Sequence, residues 1–339
     1  MKPDRNVAVY GAYGHTGRFV VAELCRRGWT PLLCGRDAGR LDALAADFPA
    51  LERRPASIGD PASLDSAFAG ASAVINCAGP FLDTAAPVLD AALRTRIHYL
   101  DLAAEQRAVL DTFERDAEAK AAGTTVIPAM AFYGGLADLL ASAALHDWRD
   151  ANRIDVAVAL DNWHPTIGTR LTGQRNHGRR LVVADGELGF LADPPPAREW
   201  VFPAPFGRED MVGLPLSEII TISRHVDCPE VHAWMNIAPL LDLRDPGTPP
   251  PLATDASGRS AQRFAVDVRV HKDGQVRRAV AQGRDIYALS APLVVEALER
   301  IVDGRISAAG VVVAGEAFDA RDFLASLARA QGDFSVIVD

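Results

Sequence analysis

The chain has 339 residues, 49% of them hydrophobic and 23% charged. The length sets a prior of about two domains, and the composition excludes wholesale disorder. The net charge of −9 comes from Asp+Glu 44 against Lys+Arg 35 and argues against a nucleic-acid partner. The longest stretches free of charged residues, Ser66–Leu82 and Ala121–Ala137, have 17 residues each and carry Gly and Pro. A spanning helix needs about 20 apolar residues, so no membrane segment is expected.

Met1–Asn6 leads straight into an apolar run, without the basic, apolar and small-residue order of a secretory leader. Cys25, Cys34, Cys77 and Cys228 lack CxxC spacing, and no His/Cys cluster has metal-ligand spacing. A cytoplasmic, metal-free protein is expected. The only lysines are Lys2, Lys120 and Lys272, which matters for the chemistry considered below.

In chain order, Asn6–Tyr10 reads as a strand and Arg18–Arg27 as a helix. Leu32–Cys34 is a second strand, and Leu41, Leu44, Ala45 and Phe48 mark one helix face. Leu51–Ser57 is a weak strand interrupted by Pro55, and Pro61–Phe68 is a helix with Pro at its start. Ala73–Cys77, residues 84–94, Ile97–Leu102, Glu105–Ala121 and Thr124–Pro128 continue as strand, helix, strand, helix, strand. This alternation predicts an α/β, doubly wound parallel sheet with helices on both faces.

The pattern changes near residue 150. Arg153–Leu160 alternates with period two, and Trp200–Phe206, Ile219–Val226, Val231–Ile237 and Phe264–Val270 read as strands. His271–Gly274 is a hairpin turn leading into Val276–Ala281, and residues 244–262 are a loop. This predicts an inserted, mostly antiparallel α+β second domain. Ala291–Val302 is a helix, Val311–Ala314 strand-like and Arg321–Ala330 a helix. The expected segmentation is 1–145, 146–287 and 288–339, the last packing back on the first domain. The second domain's strands leave a homodimer open.

The most informative stretch is Gly11-Ala-Tyr-Gly14-His-Thr-Gly17, directly after the first strand and opening the first helix. Gly11 suits the tight turn, Gly14 leaves room for a pyrophosphate, and Gly17 allows close helix packing. Gly11, Tyr13, Gly14, His15, Thr16 and Gly17 are therefore expected to border a dinucleotide at a helix N-terminus. After the second strand, Gly35-Arg36-Asp37 presents Arg36 for a 2′-phosphate, with Arg40 one turn later. NADP is expected, with NAD as the alternative through Asp37. Asp60 suits an adenine amino group or a helix N-cap. Cys77, Ala78, Gly79 and Pro80 are expected to pass close to the ribose and nicotinamide, Cys77 as a small core residue rather than a nucleophile.

These residues resemble the saccharopine dehydrogenase-like oxidoreductases. The resemblance is carried by Gly11–Gly17, Gly35-Arg36-Asp37, Ile75–Phe81, Tyr99–Glu105, Ile127–Asp138 and Gly283–Pro292. It implies a Rossmann domain, an inserted sheet-rich domain and nicotinamide cofactor use. The family also includes trans-acting enoyl reductases. Ala104 replaces the usual Gly before Glu105, and Tyr133 stands where many relatives carry an acidic residue. Both departures, with the length, argue against the lysine-pathway activity.

Hydride transfer needs a proton donor beside the reacting bond. None of Tyr10, Tyr13, Tyr99, Tyr133 and Tyr287 has Lys four residues later, which excludes the usual short-chain dehydrogenase arrangement. Tyr133, in a Gly-rich loop after the sixth strand, is the first candidate donor, and His164 the alternative. His98 is expected to be structural. Phe81 and Phe132 would line a substrate cleft between the domains, and Arg170 or Arg175 would clamp a carboxylate. The expected function is NADP-dependent hydride transfer to or from a carbonyl, imine or activated alkene of a small molecule. The rivals are a non-catalytic NADP-binding regulator and a trans-acting enoyl reductase for a carrier-bound acyl chain. The latter would dock through Arg170, Arg175, Arg179 and Arg180.

Overall fold

The structure is a computed structural model that describes residues 5–306 and 309–339; Lys2 lies outside them. The chain forms two compact units, one running to Ala131 and adding Tyr287–Val312, the other comprising Phe132–Ile286 and Val313–Asp339.

The first unit alternates strands and helices. They are β1 (Asn6–Tyr10), α1 (His15–Arg26), β2 (Thr30–Gly35), α2 (Ala38–Asp47), β3 (Arg53–Pro55), α3 (Pro61–Phe68) and β4 (Ala73–Asn76). Then follow α4 (Phe81–Thr95), β5 (His98–Asp101), α5 (Gln106–Phe113), α6 (Asp116–Ala122) and β6 (Thr125–Ile127). The expected helix over Glu105–Ala121 is thus two helices, broken at residues 114–115. Asp37 and Asp60 start α2 and α3 as N-caps, accepting from Arg40 N and Ser63 N.

The second unit opens with a π-helical turn, Phe132–Leu136, and α7 (Ala137–Leu145). It continues through β7 (Arg153–Leu160), α8 (Ile167–Arg175), β8 (Leu181–Ala184), β9 (Glu187–Phe190), β10 (Ala197–Val201) and β11 (Arg208–Gly213). Next come α9 (Ser217–Ser223), β12 (Val231–Asn236), α10 (Ile237–Arg244), β13 (Arg263–Lys272) and β14 (Gln275–Arg284). The chain ends with α11 (Ile286–Val302), β15 (Gly310–Val311), α12 (Ala314–Ala317), α13 (Ala320–Ala330) and β16 (Ser335–Val338).

Among the described residues, the first unit holds a seven-stranded sheet in the order β15-β6-β5-β4-β1-β2-β3. Every pairing in it is parallel. The strand order reverses between β1 and β4, which is the switch point of a doubly wound Rossmann sheet. Val7–Tyr10 are all buried, as a central strand covered on both faces requires. On one face Tyr10, Leu32 and Val74 pack with Leu64 and Phe68 of α3 and Val88 and Leu89 of α4. Helix α11 closes onto α1 through Arg27, whose Nη1 donates to Glu296 and Glu299, each at 2.7 Å.

The second unit's sheet runs β10-β11-β12-β7-β13-β14-β16, with β8 and β9 attached at β12. It is antiparallel except for β12 against β7. Asp273 (φ 49°) and Gly274 (φ 77°) make the β13–β14 turn, both left-handed as a two-residue hairpin demands. Helix α7 covers one sheet face. On the other, Ala157, Ala159 and Ala265 pack under Trp200, Phe202 and Trp234.

Two expectations change here. Ile219–Val226 is not a strand, since Ser217–Ser223 form α9. Ile219, Ile220 and Ile222 are all buried, and a run that is apolar on every side carries no period to separate helix from strand. The C-terminal segment is divided as well. Residues to Val312 join the first unit, while β16 pairs with β14, Ala281 opposite Val336, and so supplies that strand's second neighbour. Among the described residues, no helix is long and apolar enough to cross a membrane.

Candidate functional site

The carboxyl ends of β1, β2 and β4 meet at the glycine turn. Gly11 N and Ala12 N donate to Cys34 O of β2 at 2.9 and 3.2 Å, and Cys77 N donates to Tyr10 O at 2.8 Å. Gly11 has φ 83°, and a Cβ there would lie 2.9 Å from Ala78. A side chain is therefore excluded twice over. A Cβ on Gly17 would lie 2.3 Å from Gly11 O, so Gly17 keeps α1 tight against the turn's own carbonyls rather than against the strand. Gly14 is the N-cap of α1, with no side-chain cap and no carboxylate in the first turn. The end of α1 thus keeps its positive field and its backbone donors for an anion. His15 stacks edge-on against Phe19 (5.4 Å) and Tyr287 (5.3 Å). Tyr287 comes from α11, a partner the sequence pattern does not reveal.

At the end of β2 the Tyr13 ring lies where a Cβ on Gly35 would be, with Cε1 only 2.7 Å from it. The Arg40 guanidinium sits 4.5 Å from the Tyr13 ring centroid. Arg36 is exposed and has no hydrogen-bond or ion-pair partner among the described residues. Asp37 Oδ1 accepts from Arg40 N at 3.0 Å, which occupies one carboxylate oxygen as a cap. Asp60 Oδ1 likewise caps α3 through Ser63 N at 3.3 Å. The Arg40 guanidinium thus lies over an aromatic face, and the nearest acid, Asp37, is engaged as a helix cap.

The β4–α4 loop runs Asn76-Cys77-Ala78-Gly79-Pro80, with a cis Gly79–Pro80 bond. Burial pushes the Cys77 thiol far up, with Asp101 adding to the shift, so it is not a ready nucleophile. The loop is held by a buried polar network that sequence reasoning did not assign. Asn76 Oδ1 accepts from Ala78 N at 3.1 Å, and Asn76 Nδ2 reaches Thr84 Oγ1 (3.3 Å) and Tyr99 OH (3.5 Å). Tyr99 OH donates to Asp101 Oδ2 at 2.8 Å, while Asp101 Oδ1 accepts from Ala103 N (2.9 Å) and Ala129 N (2.7 Å). Glu105 accepts from Phe81 N (2.9 Å) and from Ala104 N (3.1 Å). Burial raises the Asp101 and Glu105 carboxyls, against the pull of these donors. The Tyr99–Glu105 motif therefore fixes three loops at the edge of the sheet.

In the second unit Tyr133 is half-buried on the π-helical turn, 5.1 Å edge-on from Phe132. Phe132 itself is buried against Phe264 at 4.9 Å. This corrects its expected substrate contact, since it is a core residue. Arg170 also departs from expectation. Its guanidinium donates to the carbonyls of Leu243 (2.8 Å), Asp245 (3.1 Å) and Thr248 (3.0 Å), so it anchors the 244–262 loop and is not a free clamp. Arg175 is exposed at the end of α8, and His164 is half-buried ahead of it. His98 Nδ1 accepts from Thr125 N at 3.0 Å and burial lowers its pKa, which makes it structural. Lys120 pairs with Asp116 at 2.6 Å and Lys272 with Asp150.

Near Tyr133 lie two residues the sequence did not single out for chemistry. Glu218, on the first turn of α9, is 3% exposed. Its Oε1 accepts from Leu216 N at 2.7 Å. Burial pushes its carboxyl up to about 7, partly offset by backbone donors and Arg180. Arg180 is half-buried, and burial lowers its pKa, with the carboxylate of Glu218 pulling the other way when ionised. The three come from distant stretches, and only Arg180 had a sequence role, as part of a surface patch.

The first unit is thus a dinucleotide-binding Rossmann domain by strand order, glycine turn and helix N-terminus. Residues 7–127 match the family model of the saccharopine dehydrogenase NADP binding domain. The whole chain matches the structure of saccharopine dehydrogenase (L-Glu forming) from Saccharomyces cerevisiae, with TM-score 0.69 and 13% identity over 98% of this chain and 99% of that one. Residues 7–127 thus match a saccharopine dehydrogenase NADP binding domain, and the chain as a whole has the saccharopine dehydrogenase fold. A short-chain type dehydrogenase/reductase from Mycobacterium ulcerans matches 37% of the chain with TM-score 0.33 and 15% identity, and covers 66% of its own length. An NADPH-dependent quinone oxidoreductase from Escherichia coli matches 44% with TM-score 0.32 and 21% identity, and covers 58% of its own length. No curated protein sequence matches the chain.

Proposed function

We propose that the chain is an NADP-dependent oxidoreductase that transfers hydride to or from a carbonyl, imine or activated alkene of a small molecule. The observation that carries this reading is the uncapped N-terminus of α1 at the switch point of the sheet, with the Arg40 guanidinium over Tyr13 and Arg36 exposed just after β2. The turn holds the pyrophosphate, the two arginines take the 2′-phosphate, and Cys77–Pro80 border the nicotinamide ribose. The cofactor supplies the hydride when bound. Tyr133 is the proton donor this reading assigns, its hydroxyl being the polar group on the turn after β6.

The test is cofactor turnover. Purified protein is mixed with NADPH and a panel of ketones, imines and enones, and nicotinamide absorbance is followed. Turnover with at least one class is expected, and Tyr133→Phe should lower kcat by ~10²–10⁴, the usual contribution of a positioned acid. NADPH binding without oxidation by any class would favour a regulator. Unchanged kcat in Tyr133→Phe would move the donor elsewhere.

A further inference from the structure

We propose that Arg180, Glu218 and Tyr133 form a carboxylate-binding subsite in the second unit. The guanidinium of Arg180 is the anion's partner, and the buried carboxyl of Glu218 sets the site's net charge. This rests on the reading above that the chain acts on a small molecule.

The argument starts from polar groups left without partners. Among the described residues the Arg180 guanidinium makes one hydrogen bond, from Nη1 to Pro215 O at 3.1 Å, and no ion pair. Among the same residues, Glu218 Oε2 is buried with no hydrogen-bond partner, and so is Ser217 Oγ, on a residue that is 0% exposed. Buried polar groups are nearly always satisfied, and the exceptions gather where a ligand or water completes them. Burial also lowers the Arg180 pKa, so its unmet donors are costly to leave unmet.

The charge balance selects the ligand. With Glu218 protonated, the site carries the single positive charge of Arg180 and matches one carboxylate, which a guanidinium fork can take by two parallel bonds. With Glu218 ionised, Arg180 is neutralised from within and the anion is repelled. The elements packed against α9 are the π-helical turn, β8, β12, α7 and α12. They bring Tyr133, His232, Asp138 and Glu316. His232 is engaged with Glu230 at 2.7 Å and Asp138 with His225 at 2.6 Å. Among the described residues, Arg180 is the charge that acts on Glu218, and it favours the carboxylate. Protonation of Glu218 is therefore coupled to anion binding at Arg180.

The test uses benzoate, a carboxylate ionised across the range, in calorimetric titrations of the full chain near pH 6 and pH 8.5. For a carboxyl at about 7, wild-type Kd should rise by up to about 30-fold between these pH values if only the protonated form binds. Glu218→Gln should bind at both pH values as tightly as wild type does near pH 6. Arg180→Met should lose binding at both, and Arg180→Lys should recover part of it, which separates charge from folding. A pH-dependence retained in Glu218→Gln, or unchanged binding in Arg180→Met, overturns the proposal. Inorganic phosphate binding in place of benzoate would overturn the carboxylate assignment. NADPH is titrated in parallel. NADPH binding without benzoate binding defeats this subsite alone, whereas loss of NADPH binding defeats the oxidoreductase reading.

Discussion

Asp101 is the hub of the buried network at the sheet edge, and its replacement separates two kinds of cost. The carboxyl is 1% exposed and takes three donors, Tyr99 OH, Ala103 N and Ala129 N. Asp101→Asn keeps an oxygen for the two backbone donors and turns an NH2 toward Tyr99. That hydroxyl already faces Asn76 Nδ2 at 3.5 Å, so its own proton loses its acceptor. One buried mismatch should cost about 1–3 kcal/mol. Asp101→Ala strands all three donors and should cost roughly 4 kcal/mol or more, a large share of a domain's ~5–15 kcal/mol. Two compact units make whole-chain unfolding a poor readout. The assay is hydrogen exchange by mass spectrometry over residues 73–130, with the second unit's peptides as the internal control. Faster exchange in the first unit alone, graded Ala over Asn over wild type, is expected. Equal protection in Asn and Ala variants would refute the view that Asp101 orders the loops through these bonds.

Gly17→Ala should abolish NADPH binding by calorimetry and weaken the first unit, because the new Cβ would lie 2.3 Å from Gly11 O; retained affinity would show that the turn yields. Glu218 carries a pH prediction for stability. Its folded pKa, about 7, lies above its ordinary value of 4.5, so the folded state holds the proton more tightly. Its contribution is full below about pH 4.5 and is lost as pH rises toward 7, by about 3 kcal/mol in all. Glu218→Gln should remove that component from the hydrogen-exchange protection factors of second-unit peptides measured across this window, and an unchanged pH profile would contradict it. Tyr133→Phe, described above, tests the proton donor.

The sequence revealed what local chemistry dictates. Asp60-Pro61 punctuates the start of α3, and the structure places that helix at Pro61–Phe68 as expected. Gly11–Gly17 carried its own signal because the strand before and the helix after are contiguous with it. Contacts between distant residues left no trace. Glu105 binds Phe81 N from 24 residues away, so its motif was visible while its work was not. Arg170 looked like a clamp because composition cannot show that loop carbonyls already fill its fork. Phe132 looked like a cleft residue because an aromatic beside glycines reads alike in a core or a pocket. Glu218 stands one residue before the stretch read as a strand, and no local pattern links it to Arg180 and Tyr133.

The central claim is that the glycine turn and Arg36 hold NADP. The most direct test is calorimetric titration of wild type and Arg36→Ala with NADPH and with NADH. Wild type should bind NADPH more tightly than NADH. Arg36→Ala should lose about 1.5–3 kcal/mol with NADPH, the range for a charge-assisted contact, and little with NADH. Equal losses for both cofactors, or no binding of either by wild type, would contradict the account.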